Sequence, residues 1–180
     1  MGAIVQIINK GILVVVSTLV LMCSTVVWSQ DSTSPQVSAQ LAPPDGEKLV
    51  LHAHAKGNQI YSCSKTGDQY AWTLKKPQAE LFDEQDRAIG HHFMGPTWEL
   101  NDGSQVVGKV VAKFDSPDSI PWLLLSAASH SGNGALSRVT SIQRLNTKGG
   151  KAPATGCEAS DEGSENRVSY TADYFFYAKP

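Results

Sequence analysis

Val168-Ser169-Tyr170-Thr171-Ala172-Asp173-Tyr174-Phe175-Phe176-Tyr177 is the clearest strand in the chain. β-branched and aromatic residues dominate it, and these fill a pleated, half-buried surface well. Strand periodicity puts Tyr174 and Phe176 on one face and Phe175 and Tyr177 on the other. One of the two faces is expected to be open to solvent. Upstream, similar short runs recur between turn residues: Leu49–Leu51, Gln59–Cys63, Gln69–Leu74, Ala79–Phe82, Ile89–Met94, Thr97–Leu100 and Gln105–Phe114. Asn101-Asp102-Gly103-Ser104 is a hairpin signal, because Asp-Gly supplies positive φ cheaply. Ile120–Leu125 is continuously apolar, as a strand buried on both faces or a short buried helix would be. Leu136, Val139, Ile142 and Leu145 fit neither period well, and the β-branched residues among them tilt the reading toward strand.

No stretch sustains a capped 3.6-residue period. Roughly eight to ten short, mostly antiparallel strands at this spacing predict an all-β single domain, a sandwich or a barrel. Of the 180 residues, 41% are hydrophobic and 18% charged, which excludes a disordered tail and a coiled coil.

The N-terminus reads as an export signal. Lys10 precedes an apolar run from Gly11 to Trp28, and polar Gln30-Asp31-Ser32 follows too soon for a comfortable membrane span. Residues 1–29 are expected to be cleaved, residues 30–44 (QDSTSPQVSAQLAPP) to form a flexible leader, and residues 45–180 to form the β domain. An uncleaved anchor and a lipid-bearing Cys23 are the alternatives. Bulky Met22 before Cys23 disfavours the second. Cleavage removes Lys10 and no acidic residue, leaving 14 basic against 17 acidic side chains, a net charge of −3. Such a surface is a poor match for nucleic acid. The expected location is secreted or periplasmic, with no membrane attachment after cleavage.

Export leaves two cysteines, Cys63 and Cys157, expected to pair in an oxidising compartment. In the chain-entropy model a loop of that length is worth about 4–5 kcal/mol.

His52-Ala53-His54 is the most suggestive local pattern. Two histidines two apart on a strand share a face, so both imidazoles can meet one zinc, copper or iron ion. The downstream glutamate of a cupin-like metal motif is missing, and a plain strand edge is the bland reading. Of His91-His92 at most one can join such a site, and the candidate metal set is His52, His54 and His92. Alternatively His92 is a core histidine bonded to a backbone carbonyl, or lies in a ligand pocket walled by Trp98 and either Trp72 or Trp122. Exposed aromatics would give carbohydrate a stacking platform. No nucleophile elbow, dinucleotide loop or phosphate loop is present. Ser129-His130 reads as a glycine-rich loop, and the acidic stretch from Glu158 to Glu165 does not match a calcium loop.

Several motifs occur in order: Tyr61-Ser62-Cys63, His92-Phe93-Met94-Gly95-Pro96-Thr97-Trp98, Asp102-Gly103-Ser104, Ile120-Pro121-Trp122-Leu123, Gln143-Arg144-Leu145-Asn146-Thr147-Lys148-Gly149-Gly150, Gly156-Cys157 and Tyr170–Tyr177. From about Pro43 to Tyr177 the chain resembles the exported domain-of-unknown-function 3455 family of bacteria, fungi and plants. The resemblance transfers no catalytic residue, and it supports pairing of Cys63 with Cys157, since both lie inside matched motifs. Some fungal relatives carry an automatic malate dehydrogenase label, which the absence of a dinucleotide loop and a βαβ pattern argues against. The preferred expectation is a non-enzymatic, exported ligand-binding domain, with carbohydrate or an envelope component as the leading partner. The alternative is a small histidine-ligated metal protein or metalloenzyme.

Overall fold

The computed structural model describes residues 37–180; the expected signal segment and the start of the leader lie outside them. Eight strands follow one another: β1 (Lys48–Thr66), β2 (Gln69–Phe82), β3 (Ala88–Phe93), β4 (Thr97–Leu100), β5 (Gln105–Phe114), β6 (Trp122–Ser131), β7 (Val139–Gly149) and β8 (Glu165–Ala178). Each pairs antiparallel with its neighbours in sequence, and β8 pairs back onto β1, so the sheet closes into an up-and-down barrel. Closure removes both sheet edges. The all-β expectation is met, with a barrel rather than a sandwich.

Eight strands fall within the expected eight to ten, but several are longer than the sequence suggested. Leu49–Leu51 and Gln59–Cys63 are two ends of the single 19-residue strand β1. The linking stretch His52–Asn58 is rich in Ala and Gly, poor strand formers by themselves, but it is paired on both sides, with β2 and β8. Pro77 lies inside β2, at a position opposite Gln59 of β1 and beyond the reach of β3. Its missing N–H therefore breaks no ladder there.

Small residues on the inner face of β1, Ala53 and Ala55, make room for large ones opposite. Trp98 is fully buried, edge-on to Tyr174 (ring centroids 5.2 Å) and Phe176 (5.9 Å). Gly108 lets the indole in: a Cβ there would stand 3.0 Å from both Trp98 Cζ3 and Leu125 Cδ2.

From Tyr174 to Ala178 both faces of β8 are buried, contrary to the expectation that one is open, whereas nearer its start Arg167, Ser169 and Thr171 are exposed on the outer face. Tyr174 and Phe176 fill the barrel, while Phe175 and Tyr177 form a second cluster with Leu41, Leu124 and Leu145. Leu41 belongs to the segment expected to be a flexible leader. It sits in a 3-10 turn (Ala39–Leu41), is 1% exposed, and its carbonyl accepts a 2.6 Å bond from Gln143 Nε2. Tyr177 Oη donates to the same amide's oxygen at 2.7 Å. For residues 37–44 the leader reading is thus corrected: proline and small polar residues describe an irregular chain, but Leu41 anchors it.

Cys63 and Cys157 are bonded, with Cα atoms 5.4 Å apart. The bridge ties the β7–β8 connection to the end of β1, and Cys63 N donates to Ser164 O beside it. Among the described residues no helix is long and apolar enough to cross a membrane.

Candidate functional site

One end of the barrel opens into a cavity of about 450 Å³. The bulge between Ile60 and Tyr61 turns β1 there, the β3–β4 corner contributes Gly95 and Pro96, and Ile120, Pro121 and Leu123 line the opposite side. The charged residues on its wall are Lys75, Lys76, Lys113 and Arg144, with no carboxylate among the lining residues. Arg144 reaches the interior because it pairs with Tyr174, an inward residue of β8. Its Nε and Nη2 donate to Pro121 O at 3.1 and 2.9 Å, which fixes the guanidinium plane. Tyr61 Oη donates to Gly150 O at 2.6 Å; burial pushes this hydroxyl's pKa up against the lowering pull of Arg144. Gln59 is 2% exposed and lines the cavity, and its Nε2 has no hydrogen-bond partner among the described residues.

His92 closes the floor. It stacks on Trp98 (centroids 4.5 Å, 13°), and its Nδ1 donates to Thr97 O at 2.9 Å. Burial lowers its pKa to about 3, overriding the raising effect of the Thr97 carbonyl, with Arg144 lowering it further. His92 is therefore neutral, with its Nε2 as an acceptor.

The expected metal trio does not assemble. His52 and His54 alternate with Ala53 and Ala55, which are buried inside, so both imidazoles stand on the outer face of the wall. His92 points inward, two strands away. The spacing within His52-Ala53-His54 fixed their common side, but not its relation to the side of a residue on another strand. The expected pairing of Trp98 and Trp72 in one pocket is also absent. Trp98 is in the core, whereas Trp72 Nε1 donates to Thr155 O at 3.0 Å and braces the disulfide-bearing connection. Trp98 and His92 do meet, but inside the barrel.

Two carboxylates that the sequence reading passed over join His52 and His54. Asp173 lies opposite His54 on β8. Its Oδ1 accepts from His54 Nδ1 at 2.7 Å and lies 3.8 Å from His52 Nε2. Glu84 comes from the β2–β3 turn, whose backbone is held by Asp83 Oδ1 accepting from Gln85 N and Arg87 N. Its Oε1 accepts from His52 Nδ1 at 2.5 Å. Asn146, at φ 51 in the β7 bulge, donates from Nδ2 to Asp173 Oδ2 at 2.8 Å. His52 also stacks on Phe175 at 4.2 Å and 7°.

The electrostatics follow from these contacts. Burial alone would lower the His52 pKa, but the facing Asp173 and Glu84 carboxylates outweigh it and raise the value above that of an ordinary histidine. Burial alone would raise Asp173, and its polar contacts with His52, Asn146 and His54 bring it down to about 2. The one signal that could have drawn attention to Asp173 is that it is an acid within an aromatic strand; Glu84 sat unremarked between two other turn acids.

No curated protein and no solved structure matches the chain. A family model described as "Protein of unknown function (DUF3455)" matches residues 43–178, which spans all eight strands and both sites. The chain belongs to that family.

Proposed function

We propose that the protein is an exported carrier or receptor for a small anionic molecule with an apolar body, bound in the mouth of the barrel. The observation that carries this reading is the cavity wall, with four cationic side chains, no carboxylate, largely apolar sides and a neutral imidazole as its floor. A few polar groups converging on an apolar concavity are the usual makeup of a small-molecule site. Arg144, held by Pro121 O, would meet the anion. Gln59 Nε2 would donate a further bond, and neutral His92 would add no charge to the floor. Tyr61 is the one tyrosine or tryptophan on the wall, which favours this ligand class over a sugar stacked between exposed rings. The Cys63–Cys157 bridge supports an oxidising, extracytoplasmic setting.

Titration of the disulfide-bonded protein with 1-anilinonaphthalene-8-sulfonate, an anionic aromatic fluorophore, tests the reading. Saturable binding is expected, weakened at least tenfold in Arg144→Gln, with the uncharged N-phenyl-1-naphthylamine binding less tightly than the sulfonate. Equal binding of the sulfonate by wild type and Arg144→Gln would sink the idea, as would a preference for the neutral probe. Native mass spectrometry of the protein as secreted would then identify the natural occupant.

A further inference from the structure

We infer that His52, His54 and Asp173 form a three-ligand site for a divalent transition-metal ion on the outer wall of the barrel, held from behind by Glu84 and Asn146. One ligand atom from each of the three residues lies within 4.8 Å of the other two. Metal–ligand bonds of about 2.0–2.2 Å put neighbouring ligand atoms roughly 3–3.5 Å apart. The observed 2.7 Å (His54 Nδ1 to Asp173 Oδ1) and 3.8 Å (His52 Nε2 to Asp173 Oδ1) straddle that range, so adjustments of well under 1 Å bring them to it.

The supporting contacts turn this proximity into a site. Glu84 Oε1 accepts the hydrogen bond of His52 Nδ1–H, which directs the Nε2 lone pair toward His54 and Asp173. A carboxylate behind a ligating histidine is the usual way a metal site fixes tautomer and ring orientation. Asn146 occupies Oδ2 of Asp173 and leaves Oδ1 for the ion. The stack on Phe175 sets the His52 ring plane. His52 Nε2 is buried and has no hydrogen-bond partner among the described residues, a costly arrangement for a polar atom unless something binds it. Binding would replace the proton between His54 Nδ1 and Asp173 Oδ1 with the ion and release that proton to solvent.

The donor set is two imidazoles and one carboxylate. It suits zinc, ferrous iron or copper(II) rather than calcium or magnesium, which prefer all-oxygen shells. Three protein ligands leave coordination positions open toward the adjoining groove of about 470 Å³, lined by Lys56, Asp86, Lys148 and Thr171 among others. The site lies on the other side of the wall from the barrel cavity, so it stands or falls independently of the anion-binding reading.

The test uses the chelator-treated, disulfide-bonded protein without a histidine tag, titrated with ZnCl2 by calorimetry and with CoCl2 by visible absorption. One ion per chain is expected at low-micromolar affinity or tighter. His54→Ala and Asp173→Asn should each weaken zinc at least 100-fold, and Glu84→Gln about 10- to 100-fold by freeing the His52 ring. Glu84 is exposed on a turn, so this last variant keeps the test decisive if the others misfold. His91→Ala removes an exposed histidine outside the cluster and should bind as wild type. Zinc binding that fails to saturate at one ion, that survives His54→Ala and Glu84→Gln unchanged, or that is lost in His91→Ala would overturn the inference.

Discussion

Asp173 Oδ1 lies 2.7 Å from His54 Nδ1, although 119 positions separate the two residues in sequence. Antiparallel closure of the last strand on the first sets them directly opposite each other. The outer cluster is therefore a product of barrel closure, and several other properties of the molecule trace to the same event.

Reduction of the Cys63–Cys157 bridge, or the double replacement by serine, should lower stability by about 2–5 kcal/mol, the chain-entropy value lying at the upper end. The loss should appear as a reduced urea midpoint, larger than for the average single substitution. An unchanged midpoint would mean that the loop from β7 to β8 is held by its hydrogen bonds alone.

His92 should make the fold acid-sensitive. Its folded pKa is about 3 against about 6.5 in the unfolded chain, so the unfolded state binds the extra proton between those values. Stability is then complete above about pH 6.5 and lost progressively as pH falls toward 3, by about 2–3 kcal/mol at pH 4.5. Thr97 O, the Trp98 ring, Tyr174 and Arg144 surround the imidazole, and no carboxylate among these contacts would welcome a proton. Urea melts from pH 4 to 7 on wild type and His92→Gln check this. The variant should be less stable at neutral pH but lose part of the slope, and equal slopes would refute the assignment.

Leu41→Ala should cost about 2–4 kcal/mol, the cost of truncating a buried leucine. The fully covered side chain closes the outer cluster over Phe175 and Tyr177. If the segment were an unstructured leader, the midpoint would not move. Increased proteolysis near residue 41 in the variant would be a second sign that the segment is normally docked.

Gly108→Val should destabilise by about 1–3 kcal/mol through overpacking. Even a Cβ there meets Trp98 and Leu125 at 3.0 Å. Tryptophan fluorescence offers the more specific readout: Trp98 displaced from its core position should show a red-shifted component.

The alternation in β8 and the turn residues between short runs made the fold class readable, because both depend on local chemistry. The length of β1 was not readable. Ala53, Ala55 and Gly57 look like an interruption, but Ala53 and Ala55 share the core with bulky Trp98 and Tyr174, and at Gly57 a Cβ would collide with Gln78 O of β2. The shared face of His52 and His54 follows from strand periodicity and was visible. Their partners Asp173 and Glu84 were not, since one depends on how β8 registers against β1 and the other on the course of a turn. His92 as a core histidine bonded to a backbone carbonyl was among the readings the sequence offered, and the structure bears it out; what stayed hidden was that it faces away from His52 and His54, because the parity of one strand carries no information about its neighbours. Arg144 passed as one letter of a motif; its value depends on the strand opposite turning it inward.

The pairing of β1 with β8 also has a temporal side. A chain emerging from its N-terminus holds the first wall of the barrel long before the last one exists, and the cysteine at position 63 waits 94 residues for its partner. Contacts so distant in sequence form late and slowly. The half-finished chain has a seam that any other strand could occupy, so the period before completion is when this protein most needs to be kept from its own copies.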